Sequence, residues 1–361
     1  MIKVRQNIPL KDISVSGETN LKKGAGIARL AWNNELEEWK QKLDKHERYS
    51  KNDASAHWTQ TRPDFSHEVP ACVGQHSILD LGSAMLGFFQ RRAGFPKFKC
   101  RGRNDHFYLT NQEAKIVGNK IKIGKLGWYK LAEKVRYDDY RLLGVVVKRK
   151  PSGKWIVSLC LEIAEAFRTD STDVVGIDVG CKHWAVASDG TICDSPKKLK
   201  YYERCLKKKQ RLLARKQKGS HRRELAKLQV AKAYDKIHNV KLDTIHKFTS
   251  LIAKRFGTVC IETLNIEGMK RSHIASKGVQ NSMMGELQRQ LMYKCNNYVK
   301  IPMFYPSSKT CSNCGNVKED LTLSDRTYHC RSCGIEIDRD LNAAINLRNK
   351  GLEIIYGGSH R

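Results

Sequence analysis

The sequence predicts a multidomain α/β protein, and three observations carry that prediction. The C-terminal region holds two Cys-x-x-Cys-Gly knuckles, Cys311/Cys314 and Cys330/Cys333, with fifteen residues between them. Two short apolar strands in the second half each carry one acid, Asp178 in VVGIDVG (Val174–Gly180) and Glu262 in TVCIETLNIEG (Thr258–Gly268). In the first half, several short segments alternate apolar and polar residues around turn signals, the pattern of a small β-barrel.

Composition narrows the function classes. Sixty-six Lys and Arg stand against 37 Asp and Glu, a formal charge of +29 over 361 residues. So large an excess opposes compaction unless a polyanion balances it, and nucleic acid is the first candidate partner. An anionic membrane is the weaker candidate, because there is no long apolar segment and no lipidation signal. The length allows two or three domains and a sizeable core. The opening MIKVRQNIPLK lacks the apolar region of a signal peptide, so a reducing cytosol is expected. Eight further cysteines (Cys72, Cys100, Cys160, Cys181, Cys193, Cys205, Cys260, Cys295) are scattered singly, without a disulfide framework.

Residues 1–20 read as a short strand followed by a polar turn region. From about Gly26 the pattern turns helical: Ala28, Trp32, Leu36, Trp39 and Leu43 recur at four, four, three and four residues. HERYSKNDASAHWTQTRPDFSHEVP is polar and interrupted by Pro63 and Pro70, and a second helix is expected through Ile78, Leu81, Met85 and Phe88. Residues 21–90 therefore form a small helical module whose apolar stripes serve as core.

GFPKFKCRGR (Gly94–Arg103) places Lys97, Lys99, Arg101 and Arg103 at alternate positions, on one face of an extended strand, with Phe98 on the other. Basic residues interleaved with aromatics suit a nucleic-acid strand, and a solvated edge strand guarded by lysines suits the pattern as well. Residues 107–163 are β-rich. Lys115–Val117 and Lys120–Ile123 flank Gly118-Asn119, a hairpin signal, and Gly144–Lys150 and Trp155–Ile163 flank Pro151-Ser152-Gly153.

Asp178 and Glu262 each sit near the end of a hydrophobic strand, where a carboxylate is costly unless paired or metal-bound, although a strand-end turn also accommodates an aspartate. Between them, Pro196 to Phe256 is helical and basic, broken at Gly219-Ser220. Lys207, Lys208, Arg211 and Arg215 crowd the first helix, and Arg222 and Arg223 open the second, with little acid to pair them. The imbalance favours a groove for phosphates over a merely solvated face. The spacing of the four cysteines matches a structural zinc site, with a redox pair as the alternative. Directly behind them, IEIDRDLNAAINL brings Asp338 and Asp340 to the start of a helix. Three acids, two at strand ends and one at a helix start, can converge on Mg²⁺, which binds through a few carboxylates and keeps water and substrate phosphate as further ligands. Their order matches an RNase H-like nuclease core.

The motifs GIDVG (Gly176–Gly180), IETLNI (Ile261–Ile266), SSKTCSNCG (Ser307–Gly315), CRSCG (Cys330–Gly334) and DRDLNAAINL (Asp338–Leu347) resemble those of the TnpB family, transposon-encoded RNA-guided nucleases related to the type V CRISPR effectors. The N-terminal half matches more loosely, through GIARLAWNNELEEWK and GFPKFK. The resemblance implies a β-barrel wedge domain (1–20 and 91–170), a helical recognition module (21–90), a RuvC-like nuclease domain (171–305 and 336–361) and a zinc ribbon (306–335). It implies Asp178, Glu262 and Asp340 as catalytic Mg²⁺ ligands, two ions in all, with Asp338 a bystander. It also implies Cys311, Cys314, Cys330 and Cys333 as ligands of one structural Zn²⁺. The implied partners are a guide RNA from the transposon end and target double-stranded DNA, bound by a monomer in the prokaryotic cytosol. Rival readings are an unguided RuvC-like nuclease, a nuclease-dead RNA-guided repressor and a zinc-ribbon binder without chemistry.

Overall fold

The computed structural model describes residues 2–164, 169–271, 276–322 and 325–357. The chain divides into two compact units, Met1–Ala164 with Lys227–Lys232, and Glu165–Ala226 with Ala233–Arg361.

The first unit contains β1 (Ile2–Lys11), α1 (Val15–Asp44), α2 (Lys51–Thr61), α3 (Cys72–Phe89), β2 (His106–Thr110), β3 (Ala114–Val117), β4 (Lys120–Ile123), β5 (Trp128–Leu131), β6 (Arg141–Arg149) and β7 (Trp155–Ile163). Its seven strands pair in the order β2-β6-β7-β1-β5-β4-β3, every pair antiparallel. The two outermost strands, β2 and β3, are joined by a single 3₁₀ turn, Asn111–Glu113. So short a link brings the two ends of the sheet together and bends it into a near-closed barrel. Strict alternation in β7 buries Trp155, Val157, Leu159, Leu161 and Ile163, the expected inward face.

Three local expectations are corrected here. The first helix begins at Val15, not near Gly26. Ser14 caps it by accepting from Gly17 N at 3.0 Å. Its early glycines lower helix propensity but satisfy packing, since a Cβ on Gly24 would lie 2.8 Å from the Phe107 ring. The polar stretch interrupted by Pro63 and Pro70, where the sequence reading places no element, contains α2, set by a capping box between Ser50 and Asp53 and anchored by buried Ala54 and Trp58. Finally, no strand forms over Gly94–Arg103. Side chains of α1 take the backbone partners a neighbouring strand would have supplied. Trp32 Nε1 donates to Lys97 O (3.1 Å), Asn33 Nδ2 donates to Lys99 O (3.0 Å), and Lys99 N donates to Asn33 Oδ1 (2.8 Å).

The second unit contains β8 (Val174–Asp178), β9 (His183–Ala187), β10 (Ile192–Asp194), α4 (Leu199–Ala214), α5 (His221–Arg255, less the turn assigned above), β11 (Thr258–Glu262), α6 (Ile266–Arg271), α7 (Ser276–Ser282), α8 (Met284–Lys294), β12 (Asn297–Ile301), β13 (Thr327–His329), β14 (Glu336–Asp338) and α9 (Arg339–Gly357). The sheet order is β10-β9-β8-β11-β12, with β8, β11 and β12 parallel and β9 antiparallel to β8. Period two splits each central strand between two cores. Val175, Ile177, Val259 and Ile261 pack with Ile245, Phe248 and Ile252 of α5 and Leu287 and Leu291 of α8. The other face carries Cys260 and Ile301, which pack with Leu347 of α9.

Contact between α9 and β8 is unusually close. A Cβ on Gly176 would lie 2.0 Å from Ala344 O and 2.4 Å from Arg348 N, and one on Gly351 would lie 2.0 Å from Cys260 Sγ. Gly176→Ala is therefore expected to cost about 3 kcal/mol or more, because helix backbone cannot yield as a side chain can. Gly26→Ala, with only the tip of Arg29 within 4 Å, should instead gain about 0.5–1 kcal/mol from helix propensity. Thermal melts of the two variants check this, and a Gly176→Ala protein as stable as wild type would contradict the packing.

Candidate active site and four-cysteine module

The α9–β8 contact positions the acids. In-register pairing ends with Ile177 beside Ile261, so the next residues, Asp178 and Glu262, are neighbours at the C-terminal ends of adjacent parallel strands. Both lie on the face that carries Gly176 and Cys260, the face covered by α9. From the contact of Gly176 with Ala344, two strand residues lead to Asp178, a rise of about 6.6 Å. Four helix residues lead back to Asp340, a rise of about 6 Å. The two paths end side by side because α9 runs with its N-terminus toward the strand C-termini.

Asp338 has a different role. Its Oδ1 accepts from Asp340 N (2.9 Å) and Leu341 N (3.1 Å), which caps the first turn of α9. Arg339, to which sequence reasoning gave no role, donates from its guanidinium to Asp340 Oδ1 at 3.1 Å. Both side chains are largely buried, 15% and 14% exposed. The signal was an arginine enclosed by two aspartates at the start of a helix.

Asp178 and Glu262 are partly buried and keep some solvent access. Burial pushes the Asp178 carboxyl up to about 8, reinforced by repulsion from Glu262 and Asp340 and opposed by Arg339. Burial pushes Glu262 up to about 7. Oxygen donors that resist ionisation in the bare protein form a site that a cation would complete. The carboxylates are nevertheless not drawn into a tight ligand group. Among the described residues, the group of three or more Cys, His, Asp or Glu side chains arranged to hold a metal is the four cysteines.

Those four Sγ atoms lie within 4.8 Å of one another. Cys311 and Cys333 approach to 3.7 Å and Cys314 and Cys330 to 3.6 Å. The two knuckles are built alike. Cys311 N donates to Asn316 O and Gly315 N to Cys311 O; Cys330 N donates to Ile335 O and Gly334 N to Cys330 O. Gly315 and Gly334 take φ of +77° and +74°, the left-handed turn that each knuckle requires. Tyr328, fully buried, packs between Cys311 and Cys330.

The basic residues separate into two classes. Lys97, Arg101, Arg103, Lys207, Lys208, Arg211, Arg215 and Arg222 are exposed, with Arg101 and Arg103 in a turn. Lys99 and Arg223 make structural contacts within the chain. The Lys99 ammonium sits 3.6 Å from the centroid of the Trp32 ring, and burial pushes it down to about 8. Arg223 donates to Leu213 O (3.0 Å) and Lys216 O (2.8 Å), closing the C-terminal end of α4.

The raised acids set a pH dependence. The folded protein holds its Asp178 and Glu262 protons to about 8 and about 7. The unfolded chain releases them near 4. Between those values the folded state binds more protons, so stability without divalent cations should fall as pH rises from about 4 to about 8. Asp178→Asn should flatten this slope and raise the melting temperature in chelator at pH 8 by several degrees. Parallel profiles for the two proteins would contradict the burial of Asp178.

Two family models match the chain. One described as "Probable transposase" (OrfB_IS605) covers residues 158–273, and the Cas12f1-like TNB domain covers residues 285–347. A Streptomyces pristinaespiralis protein, provisionally named an RNA-guided DNA endonuclease, is 30% identical over 343 residues, 91% of this chain and 84% of the relative. Escherichia coli K12 InsQ, provisionally named in the same way, is 28% identical over 94% of this chain and 90% of its own. Among solved structures, Cas12f1 in complex with sgRNA and target DNA shares the fold with a TM-score of 0.60 at 16% identity, over 93% of this chain and 82% of that one. With its motifs, its fold and identity sustained over nearly the full length of such relatives, the chain belongs to the TnpB family.

Proposed function

We propose that the protein is an RNA-guided DNA endonuclease that makes double-strand breaks by metal-dependent phosphodiester hydrolysis. The observation that carries this reading is the convergence of Asp178, Glu262 and Asp340 where α9 crosses Gly176. The relatives named as RNA-guided endonucleases support it, as does the shared fold of a structure containing guide RNA and target DNA.

In this reading the five-stranded sheet with α5, α8 and α9 is a RuvC-like core. The barrel is a wedge domain, and the helices from Val15 to Phe89 are a recognition module. The four cysteines hold one Zn²⁺, since a tetrahedron of bonds of about 2.3 Å separates its sulfurs by about 3.8 Å. Their closest pairs, at 3.6 and 3.7 Å, suit that geometry. The acids suit Mg²⁺, a hard ion that takes a few carboxylates beside water and phosphate. When bound, two such ions supply an activated water and stabilise the leaving oxygen of the scissile phosphate.

The protein's own groups set up that chemistry. Asp178 and Glu262 project from rigid parallel strands. Asp340 projects from the capped first turn of α9, its carboxylate orientated by Arg339. Exposed cations on α4, at its C-cap and at the start of α5, Lys207, Lys208, Arg211, Arg215 and Arg222, attract the phosphate backbone without reading sequence. Sequence is left to pairing between DNA and a guide RNA that derives from the transposon end, and the protein recognises heteroduplex shape and a short adjacent motif. The setting is the prokaryotic cytosol.

Two experiments test this. Asp178→Ala is expected to lower Mg²⁺-dependent cutting of guide-matched DNA by at least about 10³-fold while binding changes little, because the acid acts on the transition state. Cutting at the wild-type rate would sink the assignment. Protein purified from cells carrying its native flanking DNA should copurify with one discrete RNA that ends in flank sequence. Heterogeneous or absent RNA, with that flank expressed, would favour an unguided nuclease.

A further inference from the structure

The loop carrying the first cysteine pair is fastened to the helix carrying Asp340 by two side chains that the hydrolytic reading leaves unused. Asn342, fully buried, lies two residues after Asp340. Its Nδ2 donates to Thr310 O (2.7 Å), and its Oδ1 accepts from Ser312 N (2.9 Å), the residue after Cys311. Asn346, 3% exposed, lies on the same helix face one turn later. Its Nδ2 donates to Ser307 O (2.8 Å) and Thr310 O (2.6 Å).

The second cysteine pair reaches the same helix along the chain. Cys330 and Cys333 lead into β14, which ends at Asp338, the cap of α9. Arg339 N also donates to Arg326 O (2.8 Å), holding the start of α9 to the chain just before β13. The attachments therefore form a ring. It runs from α9 through the two asparagines to the Cys311/Cys314 knuckle, across to the Cys330/Cys333 knuckle, and through β14 back to the first turn of α9. A metal ion among the sulfurs closes that ring. Without one, the two knuckles meet across Tyr328, whose hydroxyl bonds to Lys309 O (3.0 Å) and Asn316 O (3.3 Å).

We propose that Asn342 and Asn346 are positioning residues that transmit zinc occupancy at the four cysteines to the placement of Asp340, so that zinc and the divalent cation of the acid site bind with positive coupling. This rests on the nuclease reading above. Buried amide bonds suit the task, because breaking one leaves a donor or acceptor without water to replace its partner, and the knuckle and helix move together. Coupling of this kind is reciprocal: whatever zinc does for the second cation, that cation does for zinc.

Full-length protein, zinc-loaded or zinc-depleted, is titrated with Mn²⁺, and free Mn²⁺ is read by electron paramagnetic resonance. Asp178→Ala identifies which binding belongs to the acid site. Wild type is expected to bind Mn²⁺ there about tenfold more weakly once zinc is removed, a coupling of the usual allosteric size. The double variant Asn342→Ala/Asn346→Ala is expected to retain one zinc per chain, yet to bind Mn²⁺ at the weaker level with or without it. If that protein does not fold, Asn342→Asp takes its place. It keeps the acceptor for Ser312 N–H, loses the donor to Thr310 O, and should show a zinc effect reduced to about threefold. Undiminished zinc dependence in the variant that folds would overturn the proposal, as would wild-type Mn²⁺ affinity indifferent to zinc. Absence of any Asp178-dependent Mn²⁺ site would overturn the nuclease reading and this inference with it.

Discussion

Backbone contact between α9 and β8 at Gly176 is the constraint on which the rest of the second unit depends. A strand residue without a side chain lets the helix settle against the sheet, and a second glycine, Gly351, repeats the device against Cys260. Because α9 begins beside the C-terminal end of β8 and runs back past Gly176, this one crossing decides where Asp340 lies relative to Asp178 and Glu262. The apolar strand residues on the opposite face, packed by α5 and α8, keep the sheet rigid beneath the site.

The arrangement trades stability for chemistry. Gathering acids where they are partly buried raises their affinity for protons and penalises the bare ionised state. A divalent cation bound there, as proposed, would relieve that penalty. Arg339 offsets part of the repulsion through Asp340, and the capping bonds from Asp338 hold the helix start in place. The four-cysteine module is joined to this same helix start, which makes it part of the site's frame.

Much of this was legible in the sequence where the controlling physics is local. The cysteine spacing, the Gly118-Asn119 hairpin, the alternating strand from Trp155 and the apolar strands bearing Asp178 and Glu262 were each read from neighbouring residues. What stayed hidden depends on partners distant in the chain. The start of α1 was obscured by its glycines, of which Gly24 has its reason in the Phe107 ring. α2 was obscured by a polar sequence whose signal was one capping box and two buried residues. Lys99 and Arg223 read as free cations because nothing nearby showed the indole and carbonyls that engage them. Asn342 and Asn346 stood inside a motif already singled out, yet the loop partners that bury them lie thirty or more residues upstream. The crossing at Gly176 could not be read at all, since the sequence gives no helix–strand distance.

The central claim is that this crossing assembles one cation site from three separated acids. It is tested most directly by a structure of the full-length protein with Mn²⁺, located by its anomalous scattering. The account predicts two ions that share the carboxylate oxygens of Asp178, Glu262 and Asp340 as ligands, at about 2.0–2.3 Å, and Asp338 still bonded to the first turn of α9. An ion bound through Asp338 in place of Asp340, or no ion between β8 and β11 at saturating Mn²⁺, would contradict it.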